Sequence, residues 1–208
     1  MHKIVEPKIF YFGTPVVLIS TLNEDNSANL APMSSAWSLH QSFMLGLSNR
    51  SQTVQNLIRE RECVLNLPSV DLVPAVDRLA LLTGRNPVPE YKVRQGYKYE
   101  PDKFGTAKLN QTPSDVVKPP CVKECPVQLE AIVIHIHDFG DDPSTLAAIE
   151  VKIVKSHINE QILMDGEKNY IDPDKWNPLI MNFCEFYGIG EKVHPSRLAP
   201  VFAPPVRQ

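Results

Sequence analysis

Two stretches late in the chain constrain its architecture more than any other feature. Val127 to Phe139 and Leu146 to Ile158 each run well beyond an average strand of about 5–6 residues, and each changes the phase of its apolar alternation midway. In the first, Val127, Leu129 and Val133 share a face before Ile132, Ile134 and Ile136 take over the other. In the second, Ile149, Val151 and Ile153 give way to Val154 and Ile158. The segment between them, Phe139-Gly140-Asp141-Asp142-Pro143-Ser144, is a strong turn signal, so the two stretches pair as a hairpin. A phase slip at matching places in paired strands is what a bulge or sharp bend produces. Long bent hairpins turn the corners of small barrels. The prediction is a mainly β fold with peripheral helices, built as a small antiparallel barrel.

The first third fits that frame. Strands are expected over Pro15 to Thr21 and, after the polar turn Asn23-Glu24-Asp25-Asn26, over Ser27 to Leu30. Ser42 to Ser48 sets Phe43, Leu45 and Leu47 on one face, and Cys63, Leu65 and Leu67 repeat the alternation. Between them, Val54, Leu57 and Ile58 give Thr53 to Arg61 the spacing of a short amphipathic helix. Residues 70–118 form a helical excursion, with short helices over Asp71 to Leu82 and around Pro101 to Lys108. Between those helices lies a tyrosine-bearing stretch, Glu90 to Tyr99, which reads as ordered. The end, Ala199 to Pro205, reads as an extended proline-rich tail. At 208 residues and 43% hydrophobic content, one domain over residues 1–208 is expected.

Charge and composition exclude several classes. A net charge of −3 argues against a coat for nucleic acid or anionic membrane. No apolar run approaches the ~20 residues that span a bilayer, and Met1 to Pro7 carries no apolar stretch of a signal peptide. Four cysteines make no disulfide framework, so a reduced, cytoplasmic setting is expected. There is no G-x-G-x-x-G after a strand, no Walker loop, no G-x-S-x-G elbow and no H-E-x-x-H. A nicotinamide would have to bind without a Rossmann domain.

Leu47-Ser48-Asn49-Arg50-Ser51-Gln52-Thr53 stands at a strand-to-helix junction. The first amides of a helix are unpaired and carry partial positive charge, so with Arg50 and the hydroxyls of Ser48, Ser51 and Thr53 this is a phosphate cradle. The simpler alternative is a helix cap beside a solvated arginine. Asn29-Leu30-Ala31-Pro32-Met33-Ser34-Ser35 ends a strand in small, hydrogen-bonding residues, suited to a flat heteroaromatic ligand or to an ordinary loop. His135 and His137, with Cys121 and Cys125, have the residue types of a zinc site. Their spacing and the flanking prolines favour an exposed strand face, and no metal site is predicted. His157, on the facing strand, is a lone candidate for proton transfer or ligand contact; a lone histidine is more often structural, and no catalytic residue is named.

The stretch from Phe12 to Ser69 resembles the flavin reductase-like, FMN-binding split-barrel family (flavoredoxin-like). Four blocks carry the resemblance in matching order: Gly13 to Thr21, Asn29 to Ser35, Ser48 to Leu57, and Cys63-Val64-Leu65-Asn66-Leu67-Pro68. A weaker likeness continues through Asp102-Lys103-Phe104 and Cys125 to Glu130. The resemblance implies a homodimer of six-stranded antiparallel Greek-key split barrels, with FMN near the dimer interface. It implies that Ala31, Pro32, Met33, Ser34 and Ser35, with Asn29, line the isoalloxazine and ribityl chain. Ser48, Asn49, Arg50, Ser51 and Thr53 would hold the phosphate, and Lys103 and Phe104 would reach a flavin from the other subunit. It implies NADH or NADPH as electron donor, with electrons passing to free flavin or an acceptor protein; an FMN-binding electron carrier without reductase activity is the alternative. Many members carry a paired glycine before a tyrosine near the C-terminus, where this chain has Asn182, Phe183 and Cys184.

Overall fold

The computed structural model describes residues 1–142 and 145–202. Its principal sheet has seven strands in the order Ala28–Met33, Val17–Leu22, Glu62–Leu67, Val127–Phe139, Leu146–Ile158, Ser42–Ser48 and Ala36–Leu39. Every pairing in it is antiparallel. The two edge strands are consecutive in the chain, joined only by Ser34 and Ser35, and the Gly46 amide donates to the Ser35 carbonyl at 2.7 Å. The sheet therefore curls round until its two edges meet at that crossing. The short Ala36–Leu39 strand makes the ladder seven where six were expected. Its Trp37, Ser38 and Leu39 are exposed, so it lacks the buried alternation that marks a strand in sequence.

The long hairpin spans the two stretches that the apolar pattern singled out, and its register shifts twice, between Glu130 and Ala131 and between Val133 and His135. Arg61 satisfies the backbone that the second irregularity disturbs. Its guanidinium donates to the carbonyls of Val133 and Ile134 at 3.1 and 2.9 Å, and the Val133 amide donates back to the Arg61 carbonyl at 2.8 Å.

Inside the curl, Val17, Ile19, Leu45, Cys63, Leu65, Leu129, Ile149 and Val151 form one core. Helix α1 (Gln52–Glu60) seals it with Val54 and Leu57, both fully buried; burying a side chain of this size contributes roughly 1.5–3 kcal/mol. A second core lies outside the sheet, where Leu18 and Leu30 meet Ala75, Val76, Leu79 and Phe104 from the 70–118 excursion. The Val17–Leu22 strand is thus buried on both faces.

The excursion is more broken than its pattern suggests. The helix expected over Asp71 to Leu82 is a single 3-10 turn, Val70–Leu72, followed by α2 (Val73–Arg78). Pro74 has no amide to donate and fits only the first turn of a helix, so the helix restarts there. Helices α3 (Glu90–Arg94) and α4 (Lys103–Ala107) follow, α4 capped by the Asp102 carboxylate accepting from the Gly105 amide at 2.9 Å. The tail differs from the extended expectation, since Ala199–Phe202 forms a helical turn, α5; Ala203, Pro204 and Pro205 lie outside the described residues.

The strand expected to begin at Pro15 instead breaks in two. Phe12–Pro15 pairs with Ile180–Asn182, which pairs in turn with Glu185–Tyr187, making a separate three-stranded sheet. At the turn of the latter hairpin, Phe183 and Cys184 both have positive φ, 48° and 66°. Two-residue hairpin turns of the favoured hand need this backbone and normally take Asn-Gly for it. This chain adopts that backbone without glycine, and the Phe183 ring packs edge-on against Phe12 at 4.8 Å between centroids.

Candidate flavin site

Helix α1 begins where the Ser42–Ser48 strand ends. Ser51 has extended backbone and its Oγ accepts from the Val54 amide at 3.2 Å, so the capping role expected of it is real. No acidic residue occupies the first turn, which leaves the positive end of the helix dipole uncompensated. Arg50 stands exposed in front of it, its guanidinium 5.9 Å from the centre of the Tyr91 ring. With Pro89, Glu90 and Arg94 these two residues line a hollow of about 360 Å³. Asn49 is tied down, its amide side chain donating to the Leu146 carbonyl at 3.0 Å.

Behind the first turn runs a buried polar chain. Lys103, only 4% exposed, donates from Nζ to Asn29 Oδ1 at 3.0 Å. Asn29 in turn donates from Nδ2 to Thr53 Oγ1 at 3.2 Å and to Thr21 Oγ1 at 3.3 Å. The chain passes directly over this group at Gly84, where a Cβ would stand 2.7 Å from Asn29 Oδ1 and 3.2 Å from the Gln52 side chain. Burial, reinforced by the charge of Lys92, pushes the Lys103 ammonium down from 10.5 to about 8. Lys92 is itself lowered by burial; its Nζ donates to Thr83 Oγ1 at 3.4 Å and lies 5.1 Å from the Tyr97 ring centre. Both lysines are thus bonded to neutral oxygens, and the hydroxyl of Tyr91 is buried with no partner among the described residues. Buried cations are normally paired; neither lysine has a hydrogen-bonded carboxylate among the described residues, and Glu100 acts on Lys103 only through its charge.

On the other side of Ser48 lies a groove of about 520 Å³ lined by Ser35, Gly46, Leu47, Ser48, Phe139, Leu146 and Ala147, with Lys8 to Tyr11 along its rim. Gly46 keeps the floor flat, since a Cβ there would approach Ser35 Cβ to 3.2 Å. Tyr11 Oη is 3.2 Å from Ser35 Oγ, anchoring the rim.

The expected site residues therefore divide. Ser35 and Ser48 line the groove; Arg50, Ser51 and Thr53 gather at the start of α1; Asn29 and Lys103 lie buried behind it. Lys103 is held by Asn29 of its own chain. Ala31, Pro32 and Met33 are part-buried in the edge strand, Met33 against the barrel core, and Ser34 is buried beside them. Phe104 belongs to the second core and is not brought to the groove. Lys92, Tyr91 and Gly84 were not singled out by sequence; the only signal was the ordered, tyrosine-bearing stretch that carries two of them.

His135 and His137 share a face with ring centres 5.6 Å apart, and His137 lies 3.7 Å from Glu150. Cys121 is not grouped with them but with Glu130 and His157. Glu130, which sequence reading passed over, is fully buried. Its Oε1 accepts from the Asp115 amide at 2.8 Å and lies 2.6 Å from His157 Nε2; its Oε2 accepts from the amides of Val116 and Val117 at 2.7 and 3.0 Å. Burial alone would raise this carboxyl; the Asp115 amide, His157 and the other two amides outweigh it and hold it below its ordinary value.

The chain is 40% identical over 191 residues to the uncharacterized protein YdfE of Bacillus subtilis (strain 168), covering 92% of this chain and 91% of that one. Its fold superposes on the flavoredoxin of Desulfovibrio vulgaris (Miyazaki F) with a TM-score of 0.77 at 22% identity, covering 96% and 100% of the two chains. Nitrilotriacetate monooxygenase component B from Bacillus cereus superposes at 0.72 with 19% identity and 88% of each chain covered. No helix among the described residues is long and apolar enough to cross a membrane. The family profile of the flavin reductase like domain matches residues 9–172, from the groove's rim through the helix start, Lys103 and the long hairpin, and the chain belongs to that family.

Proposed function

We propose that the protein binds FMN and uses it as an NAD(P)H-dependent oxidoreductase, delivering electrons to free flavin or to an acceptor protein. The observation that carries this reading is the buried Lys103 ammonium, bonded only to an amide oxygen, behind a helix start with no acidic residue. A flavin phosphate would bring negative charge to within reach of Lys103 and Lys92. Ser48, Ser51 and Thr53 hydroxyls, the first amides of α1 and Arg50 hold it, and Lys103 acts from behind Asn29 as a fixed positive charge. The groove beside Ser48 takes the ring, its backbone floor at Ser35 and Gly46 allowing flat contact and Phe139 and Leu146 offering apolar surface along it. FMN, when bound, supplies the hydride-accepting and electron-donating chemistry. The chain's own part is to place and orient the ring.

An anaerobic visible spectrum of the protein with FMN, before and after NADH or NADPH, tests the reading. A perturbed flavin spectrum that bleaches within seconds is expected. A perturbed spectrum that stays yellow would leave an electron carrier, and no perturbation would remove FMN altogether. Arg50→Ala is expected to weaken FMN about tenfold or more while changing riboflavin little, because only FMN carries the phosphate. Equal losses for both ligands would take Arg50 out of the phosphate's contacts.

The same reading makes the protein a homodimer in a reducing compartment, with all four cysteines free. Phe10, Phe12 and Phe183 form an exposed ring cluster, and Trp37 and Leu39 stand out from the open edge strand. Apolar rings beside an unpaired strand edge are an association surface. Sedimentation is expected to give about twice the 23.4 kDa of one chain; a monomer at micromolar concentration would contradict it.

A further inference from the structure

We propose that Cys121, Glu130 and His157 form a binding site for a soft divalent cation, and that Zn²⁺ is the ion it takes. One ligand atom from each residue lies within 4.8 Å of the other two. Thiolate, carboxylate and imidazole are the donor types of zinc sites, and one thiolate with one carboxylate neutralises the ion. The three come from three separate elements. Cys121 opens a two-residue strand at the end of the 70–118 excursion, Glu130 sits at the first register shift of the long hairpin, and His157 lies near the end of the opposite strand.

The surroundings are those of ligands held in place by outer hydrogen bonds. The Glu130 carboxylate is oriented by the amides of Asp115, Val116 and Val117, and Ser114 Oγ lies 3.5 Å from Cys121 Sγ. Such partners fix the aim of metal ligands. An ion inserted between Glu130 Oε1 and His157 Nε2 replaces only their mutual contact, and all three amide bonds remain. Neighbouring ligand atoms around tetrahedral zinc stand about 3.3–3.6 Å apart, so the 2.6 Å contact between Oε1 and Nε2 must open. His157 can make that movement. Its side chain is 32% exposed and lines a depression of about 210 Å³ with Lys123, Cys125 and Gln128, which leaves the ring room to shift. The ion would fasten the 114–122 segment to the barrel wall. None of these residues belongs to the flavin groove or the helix start, so the site stands whatever the cofactor proves to be.

The test uses the full chain with Cys184→Ser, which removes the exposed thiol, after dialysis against a chelator. Zn²⁺ is titrated by calorimetry, and Co²⁺ by absorption. The expected result is one Zn²⁺ per chain at micromolar Kd or tighter, a rise in Tm with Zn²⁺, and a thiolate-to-cobalt charge-transfer band in the near ultraviolet. His157→Ala and Cys121→Ala, each checked by circular dichroism for a native fold, are expected to weaken Zn²⁺ at least tenfold. The double variant His135→Ala/His137→Ala is expected to bind as the parent does. No saturable binding, no charge-transfer band, or binding lost with His135 and His137 instead would each overturn the proposal. The cobalt band is read on the parent protein, so the test stands even where a variant fails to fold.

Discussion

Lys103→Met is expected to stabilise the flavin-free protein and to weaken FMN in the same variant. The ammonium is held down from 10.5 to about 8 chiefly by burial, then by the charge of Lys92, with Glu100 opposing. A drop of that size corresponds to about 3 kcal/mol at roughly 1.4 kcal/mol per tenfold. Methionine has a similar length and no charge to bury, although it leaves Asn29 Oδ1 without its donor. A net gain of about 1–2 kcal/mol remains, a rise in Tm of about 3–8 °C for a chain of this size. FMN affinity is expected to fall about tenfold, with riboflavin changed less. The pH dependence has a definite sign. Below pH 8 the lysine is charged folded and unfolded, and the full cost of burying it is present. Between about 8 and 10.5 the folded chain releases the proton while the unfolded chain keeps it, so stability of the flavin-free protein rises with pH. A bound phosphate favours the ammonium, so wild-type FMN affinity falls as pH passes 8, and the Met variant lacks both slopes. Thermal melts and flavin titrations at pH 7 and pH 9.5 measure all four quantities. A destabilised Met variant with unchanged FMN affinity would show that Lys103 is a structural strut and nothing more.

Glu130→Gln is expected to cost about 3–4 kcal/mol of stability. The carboxylate receives three backbone amides and faces His157, with no solvent contact. Glutamine keeps one acceptor oxygen and turns an NH₂ group toward amides that are themselves donors. Stranding buried donors costs about 1–3 kcal/mol each, and a total of about 3–4 kcal/mol would lower Tm by about 10 °C. The 115–117 segment is expected to lose hydrogen-exchange protection first. A loss below about 1 kcal/mol would mean that water or a shifted loop takes over the amides.

Local pattern made much of the fold legible. The phase slips of the long hairpin became its register shifts because a bulge leaves its mark in which face is apolar. The helix start at Ser51 was legible because caps are written in adjacent residues. What could not be read is non-local. Asn29, Thr53 and Lys103 are joined across 24 and 74 residues of chain, and nothing in a lysine's neighbours in sequence says that it is buried. Phe104, which the resemblance set beside Lys103 as a contact to a flavin of the other subunit, lies in the second core of its own chain, a placement that likewise depends on distant residues. The histidines at 135 and 137 drew notice by spacing, while the pairing that matters to Cys121 depends on hairpin register, which sets Gln128 against His157 and so brings Glu130 near.

The small sheet of Phe12–Pro15 with the Ile180–Tyr187 hairpin ties the chain's beginning to its last strands. Loss of either partner therefore leaves the other without its strand pairing. Tyr11, next to that sheet and bonded to Ser35, edges the flavin groove. The Phe12–Phe183 ring contact links the later hairpin to the strand that follows Tyr11, so under the proposed flavin-binding role a change at Phe183 is expected to reach the groove through Tyr11.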